Sequence, residues 1–310
     1  MLAFYLHTLS PFIWEIRPGL GLRWYGFAYV MAFLVGYWLY RRLAERGYSE
    51  LKPEQVGDFI TYAAIFGVLL GGRLGYVLFY RFSEYLAHPL DIIKVWDGGM
   101  ASHGGIIGLI LFTLFYARKH KLSWTSIGDS LCVVAPIGLF FGRIANFING
   151  ELYGRIANVS WAVQFPKELS DSPPLADQVA ERLGTDFNVD DLIALSRHDA
   201  HIQQVLHDIL PPRHPSQLYE AFLEGVVLFS ALWFLRTKMR VPRGVITGAF
   251  FVLYALLRIA GEIFRVPDAP LTGPFTRGQF LSLFLVVLGS VFIVWGWRTQ
   301  QYERAQTKAA

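Results

Sequence analysis

The sequence predicts an all-α, polytopic membrane protein with about seven transmembrane helices, and three observations lead to this fold class. First, the 310 residues are 54% hydrophobic and only 17% charged, a balance too apolar for a soluble domain of this length. Second, the chain contains several runs of about 20 mainly apolar residues, which is the length that crosses a hydrocarbon core of about 30 Å. Third, most basic residues flank these runs, as the positive-inside rule describes.

The apolar runs predict where the helices lie. The third is the shortest, and a long polar connection separates the fourth from the fifth. In chain order the runs cover residues 22–40, 57–80, 102–116, 127–147, 218–234, 244–264 and 280–297.

The distribution of basic residues predicts the orientation of the chain. Fourteen lysines and arginines follow runs one, three, five and seven, whereas six lie in the short segments on the opposite side. Because cytoplasmic loops carry the excess of positive charge, we expect a periplasmic N-terminus and a cytoplasmic C-terminus. The formal net charge of +4 does not indicate a nucleic-acid partner, since these residues flank apolar runs rather than forming a basic patch.

The polar connection predicts a small periplasmic head. It spans residues 150–217 and separates spans one to four (residues 1–149) from spans five to seven with the cytoplasmic tail (residues 218–310). Residues 175–183 and 190–210 have helix-like apolar spacing, and residues 161–165 alternate like a short strand. Its histidines fit no standard ligand spacing, so no metal is expected.

Ionisable and polar residues gather at one predicted depth. Arg73, Arg143 and Arg258 fall late in outward-running spans, while Tyr25 and His103 fall early in inward-running spans, so all five are predicted in the outer leaflet. Charges inside spans are costly unless paired or hydrated, and each is a functional-site hypothesis. Alternatives stay open for three of them: an aromatic-belt position for Tyr25, an interfacial hydrogen bond for His103, and a bridge between closely packed helices for Arg73.

Two helices present polar faces. Run six carries four polar residues at spacings of 4, 4 and 3, which keeps them on one helical face. An Arg258–Glu262 pair that only neutralises itself is the competing explanation. Run four ends in an Asn149-Gly150 turn, where backbone N–H groups can approach a ligand. The polar residues of run six are Tyr254, Arg258, Glu262 and Arg265.

Two or more arginines at one depth indicate an anion, and the guanidinium fork suits a phosphate group. The abundant anion in the outer leaflet is a phospholipid head group. An aqueous anion pathway would require ionisable residues through the whole thickness, whereas the cytoplasmic halves of these spans are almost purely apolar.

The residues also resemble a known family. Residues 142–154, Gly-Arg-Ile-Ala-Asn-Phe-Ile-Asn-Gly-Glu-Leu-Tyr-Gly, are similar to the signature of the prolipoprotein diacylglyceryl transferases, with Ala145 where the signature usually has glycine. Further pieces that resemble the family lie at residues 23–26, 72–76, 103–105, 214–220 and 258–265.

The resemblance implies a bacterial, multi-pass inner-membrane enzyme that needs no cofactor. It would transfer diacylglyceryl from phosphatidylglycerol to the lipobox cysteine of a prolipoprotein signal peptide, forming a thioether and releasing glycerol phosphate at the periplasmic leaflet. By the same resemblance Arg143 and Arg258 hold the lipid phosphate and His103 is the proposed base. The wider predicted binding set is Tyr25, Arg73, Asn146, Asn149, Glu151, Gly154, Tyr254, Glu262 and Arg265.

Two roles and one function class stay open at this point. Glu262 is a candidate to orient Arg258, and Glu151 to orient either its own loop or Arg143, and the sequence does not separate these roles from direct contact with the lipid. An anion or lipid transporter that uses the same arginine cluster is the alternative function. A membrane-embedded protease is disfavoured, because no serine or cysteine nucleophile lies beside a base at the shared depth.

Overall fold

The computed structural model is mostly helical and describes residues 4–17, 19–94, 98–185, 187–239, 241–267 and 274–309. A helix occupies each of the seven apolar runs, and short helices lie between them. In the described residues the helices are α1 (Trp24–Glu45), α2 (Gln55–Tyr80), α3 (Phe82–Ala87), α4 (Ser102–His120), α5 (Trp124–Asn149), α6 (Glu168–Asp171), α7 (Pro173–Leu183), α8 (Val189–Leu195), α9 (Ala200–Ile209), α10 (Ser216–Lys238), α11 (Val245–Glu262) and α12 (Arg277–Ala309).

Five helices in the described part of the chain are long and apolar enough to cross a membrane. They are Gln55–Tyr80, Trp124–Asn149, Ser216–Lys238, Val245–Glu262 and Gly278–Gln300. The chain is therefore a mostly helical, multi-pass membrane protein. Helices α1 and α4 occupy the remaining two apolar runs but are not among these five. Seven spans and the orientation of the termini therefore stay predictions.

Tertiary contacts divide the chain into two compact units. The first consists of Met1–Ala32, Ala135–Trp233 and Gly248–Val291, and the second of Phe33–Val134, Phe234–Thr247 and Phe292–Ala310.

Short strands lie in the first unit. Strand β1 (Tyr5–Leu6) runs parallel to β4 (Val163–Gln164), and β2 (Phe12–Arg17) forms an antiparallel hairpin with β3 (Leu20–Arg23). The strand predicted at residues 161–165 is thus present over two residues, and it ties the N-terminal segment to the 150–217 connection.

The 150–217 connection has a small helical core of its own, made by α6 to α9. The prediction of one helix over residues 190–210 is wrong, because α8 ends at Leu195 and α9 begins at Ala200. The break has a local cause: the Asp199 side chain accepts hydrogen bonds from the backbone N–H groups of His201 and Ile202 and caps a new helix. The buried core residues are Leu169, Val179, Leu192, Ile202, Val205, Leu206 and Leu210.

In the second unit, glycines bring α2 and α4 into backbone contact. A Cβ on Gly71 would lie 2.6 Å from the carbonyl oxygen of Gly104 and 2.8 Å from the Cα of Gly108, and a Cβ on Gly75 would lie 2.5 Å from the Cα of Gly104. This is small-xxx-small packing, in which van der Waals contact between backbones joins two membrane helices. The close packing predicted for the glycines around Arg73 is confirmed.

We expect Gly71→Ala to destabilise the protein by about 1–3 kcal/mol, because the added methyl group overlaps the α4 backbone. Gly36→Ala is the matched control. Gly36 lies in the part of α1 that belongs to the second unit, and a Cβ there would meet no described atom within 4 Å. Thermal unfolding in detergent measures both variants. Equal midpoints for the two alanine variants would show that the glycine contact does not stabilise the fold.

Candidate active site

Two carboxylates on α10 form the centre of the candidate site. The side chains of Glu220 and Glu224 are fully buried, with 0% exposure, in a helix that is otherwise apolar enough to span a membrane. Buried carboxylates are costly unless cations and hydrogen-bond donors surround them. The sequence of α10 therefore requires positive partners from other helices.

Arg143 of α5 and Arg258 of α11 supply these partners, and each contacts both carboxylates. Arg143 lies 3.0 Å from Glu220 Oε2 and 3.1 Å from Glu224 Oε2. Arg258 lies 2.8 Å from Glu220 Oε1 and 3.2 Å from Glu224 Oε1. Two arginines from separate helices thus share one pair of carboxylates.

A third arginine and a third carboxylate complete the cluster. Arg265 lies 3.2 Å from Glu220 Oε1, and Glu262 lies 3.1 Å from the second terminal nitrogen of Arg258. The cluster is therefore formally neutral. An Arg258–Glu262 pair that merely neutralises itself does not describe the site, because Arg258 also contacts Glu220 and Glu224.

The backbone of α10 is adapted where the cluster forms. Residues Ala221–Val227 are π-helical, and Gly225 lies within this segment, directly after Glu224. A Cβ on Gly225 would lie 2.6 Å from the Cβ of Phe140, so glycine lets α10 approach α5 one turn before Arg143. Wide π turns within helices often occur at functional sites.

The arginines differ from the carboxylates in accessibility. The side chains of Arg143 and Arg258 keep 15% and 13% exposure, whereas Glu220 and Glu224 have none. A guanidinium group has five N–H donors, more than the carboxylate contacts of either arginine use. Both arginines therefore carry further N–H donors beside the buried carboxylate pair.

The signature segment that follows α5 forms a second set of contacts. Asn146 is buried, and its amide nitrogen donates to the Tyr25 hydroxyl at 2.8 Å and to Glu151 Oε1 at 2.7 Å. These contacts match one role left open for Glu151, the orientation of its own loop. Arg143, the other residue that Glu151 was a candidate to orient, pairs with Glu220 and Glu224. The side-chain oxygen of Asn149 is buried and has no hydrogen-bond partner among the residues that the structure describes.

The loop itself is tightly constrained. Gly150 has a φ of 70°, and Leu152 has a φ of 59°, which is rare for a residue with a branched side chain. A Cβ on Gly154 would lie 2.5 Å from the carbonyl oxygens of both His214 and Phe264, so only glycine fits there. Backbone strain of this kind persists where surrounding contacts enforce it.

The start of α10 supplies these enforcing contacts. Ser216 donates to the carbonyl oxygen of Leu152 at 3.0 Å, and the Gln217 amide donates to the carbonyl oxygen of Glu151 at 2.7 Å. The helix that carries the buried carboxylates therefore also fixes the signature loop.

Two histidines border this loop outside the long helices. His7 Nε2 lies 2.7 Å from the carbonyl oxygen of Phe147, and His214 Nδ1 lies 3.2 Å from the Tyr219 hydroxyl. Burial lowers the pKa of both imidazoles, so both are neutral at neutral pH. The His7 ring also packs against Phe165.

Tyr254 belongs to the same compact unit as the cluster. It precedes Arg258 by one helical turn, and its ring stacks on Phe250 with 5.8 Å between the ring centroids.

His103 and Arg73 belong to the second compact unit. Helix α4 begins at Ser102, so His103 lies in its first turn, as predicted, and its side chain is exposed. Arg73 is buried and donates to five backbone carbonyls, those of Asp91, Ile92, Lys94, Gly98 and Gly99. These bonds match the bridging role left open for Arg73, whereas a substrate contact by Arg73 stays a prediction.

Comparison with known proteins places the chain in a family. A family model described as prolipoprotein diacylglyceryl transferase matches residues 11–295. The chain belongs to this family. The resemblance that residues 142–154 carry is thereby confirmed.

Curated relatives agree with this assignment, and each is named phosphatidylglycerol–prolipoprotein diacylglyceryl transferase. A Neisseria meningitidis protein is 39% identical over 297 residues, which cover 94% of this chain and 97% of the relative. A Rickettsia felis protein is 40% identical, with 92% and 96% covered, and a Bdellovibrio bacteriovorus protein is 41% identical, with 93% of each covered.

In this member of the diacylglyceryl transferase family, the ion cluster depends on two carboxylates that the sequence analysis missed. Glu220 entered only as the last residue of a family motif, and Glu224 was not considered. Both lie inside an apolar run, four residues apart, and the rule that marks intramembrane arginines as functional applies equally to carboxylates. That signal was available in the sequence.

We expect Glu224→Gln to destabilise the protein by about 3–5 kcal/mol, because it removes one of the buried carboxylates that Arg143 and Arg258 share. Glu84→Gln is the matched control, since Glu84 pairs with Arg81 at 54% exposure and its loss should cost less than about 1 kcal/mol. Thermal unfolding in detergent compares the two. A Glu224→Gln protein as stable as the Glu84→Gln protein would contradict a structural role for the shared carboxylates.

Proposed function

We propose that this protein transfers the diacylglyceryl group of phosphatidylglycerol to the cysteine thiol of a prolipoprotein. A thioether forms and glycerol phosphate is released. Membership of the family and the names of relatives at about 40% identity support this reaction. The observation that carries the proposal is the sharing of Glu220 and Glu224 by Arg143 and Arg258, since it holds two partly exposed arginine side chains next to each other.

The arginine pair would bind the phosphate of the lipid. Guanidinium forks match phosphate oxygens geometrically, and a low-dielectric site strengthens each contact. The carboxylates keep the cluster neutral before the lipid arrives. Their ion pairs also hold the arginine side chains in place, so the arginines would not need to reorganise during the reaction. Donors held in place in this way stabilise developing charge most effectively.

Two tasks make up the transfer step. The thiolate sulfur attacks the glycerol carbon that carries the phosphate; the carbon–sulfur bond forms as the carbon–oxygen bond breaks, and the phosphate departs with the bonding electrons. Arg143 and Arg258 would stabilise the departing charge, and His103 would accept the thiol proton. Electrostatic stabilisation is often the larger of these terms, and a general base typically contributes about 10²–10⁴-fold.

The signature loop and the face of α11 would surround the lipid. Asn146, Glu151 and Gly154 would shape the loop and Glu262 would orient Arg258, while Tyr25, Asn149, Tyr254 and Arg265 would line the binding region. The hydrogen bonds of Asn146 and the ion pair of Glu262 support these assignments.

The location we propose is the bacterial inner membrane, with seven spans, a periplasmic N-terminus and a cytoplasmic C-terminus. The site would face the periplasmic leaflet, where the lipobox cysteine of the signal peptide reaches it. The concentration of basic residues after runs one, three, five and seven supports this orientation.

Arg143→Ala and Arg258→Ala should each abolish lipidation of a lipobox peptide by purified protein with phosphatidylglycerol, measured by mass spectrometry. Arg143→Lys, which keeps the charge but loses the fork, should lower the rate by about 10²-fold or more. Arg81→Ala is the control, because Arg81 is 54% exposed and pairs only with Glu84 among the described ion pairs. Undiminished lipidation in both alanine variants would reject these roles, and lipid movement without lipidation would favour a transporter.

His103→Gln should slow lipidation by about 10²-fold or more at neutral pH, where the peptide thiol depends on a base. The deficit should shrink as the pH rises past about 8.5, because the thiol then ionises without assistance. Rates of the wild type and the variant from pH 6.5 to 9.5 test this. A deficit of constant size across that range would argue against proton transfer to His103.

A further inference from the structure

Gln217 is a buried polar residue to which the transfer mechanism assigns no part. Its side chain has 0% exposure, and its amide nitrogen donates to the carbonyl oxygen of Glu151 at 2.7 Å. That bond fixes the orientation of the carboxamide, because only the nitrogen can donate to a carbonyl. The side-chain oxygen Oε1 is buried, and no group in the described part of the chain donates a hydrogen bond to it.

The position of Gln217 connects this acceptor with the arginine cluster. It precedes Glu220 by three residues on α10, so both side chains lie on one helical face, with about 5–6 Å between their Cβ atoms. Glu220 contacts Arg143, Arg258 and Arg265. A phosphate bound by the arginines would therefore lie about one helical turn from the Gln217 oxygen.

A buried acceptor without a donor needs an explanation, since leaving one unpaired costs about 1–3 kcal/mol. The ligand that fits must bring a phosphate for the arginines and, a few bonds farther on, a hydrogen-bond donor. The terminal glycerol of phosphatidylglycerol carries two hydroxyl donors at that position. Relatives of this chain are named for phosphatidylglycerol, so a hydroxyl of its terminal glycerol is the expected donor.

We propose that Gln217 determines head-group specificity, its side-chain oxygen accepting a hydrogen bond from a hydroxyl of the terminal glycerol of phosphatidylglycerol. This assignment rests on the proposed function and deepens it. Gln217 binds the leaving portion of the lipid and takes no part in bond breaking. The same residue holds the Glu151 backbone, so lipid binding and loop position are coupled through one side chain.

An unpaired amide oxygen does not by itself indicate a ligand, and the chain offers a matched case. Gln164 is also buried with an unpaired oxygen, while its nitrogen donates to the carbonyl oxygens of His207 and Leu210. It lies in β4, and its contacts are with the helical core of the connection rather than with the arginine cluster. Gln164→Met therefore makes the same chemical change away from the proposed head-group contact.

The test compares two lipids that differ only in the hydroxyl groups: phosphatidylglycerol and phosphatidylpropanol with the same acyl chains. Wild-type protein should lipidate a lipobox peptide with kcat/KM about ten- to a hundredfold higher for phosphatidylglycerol, the ratio expected for one unpaired buried acceptor. Gln217→Met should slow lipidation with both lipids, because it loses the bond to Glu151, but it should slow phosphatidylglycerol more and so lose most of that preference. Gln164→Met should keep the wild-type ratio.

Two results would overturn the assignment. A wild-type protein that uses both lipids equally well would show that Gln217 reads no hydroxyl, as would be the case if a water molecule satisfies its oxygen. A Gln217→Met protein that loses activity equally with both lipids would show a role limited to holding the Glu151 loop. Absence of lipidation by wild-type protein with either lipid would reject the proposed function itself, and the assignment with it.

Discussion

The site depends on the burial of two carboxylates in a membrane-spanning helix. Glu220 and Glu224 have no contact with solvent, so the fold must bring cations to them, and it takes Arg143 from α5 and Arg258 from α11. The ion pairs that offset the free-energy cost of burying the carboxylates also place the two guanidinium groups beside each other. Stability and the proposed anion binding would therefore come from one arrangement, whose formal neutrality lets it form in an apolar surrounding.

The signature loop is a second consequence of the same helix. Its unusual backbone at Leu152 is held by Ser216 and Gln217 in the first turn of α10, the turn that leads directly to Glu220. A change in the loop is thus transmitted to the ion cluster through a few hydrogen bonds and one helical turn. This coupling gives a physical reason for the positive φ angles of Gly150 and Leu152.

Much of the fold could be predicted from the sequence, because membrane helices are long and their apolar runs are unambiguous; all seven runs are helical. The pairing of the arginines through Glu220 and Glu224 could not be derived from periodicity, since the partners lie on different helices and only tertiary packing brings them together. The helix break before Asp199 was missed because apolar spacing continues across it, while the cap is a local hydrogen-bonding event. The sequence left Arg73 open between a structural bridge and a ligand contact, and no sequence pattern reveals the backbone carbonyls that occupy its guanidinium group.

A structure of the protein determined with phosphatidylglycerol bound would test the central claim most directly. We predict that one lipid phosphate lies within hydrogen-bonding distance of the guanidinium groups of both Arg143 and Arg258, while Glu220 and Glu224 stay buried beside them. A phosphate bound elsewhere, with both arginines still engaged only by carboxylates, would contradict the account.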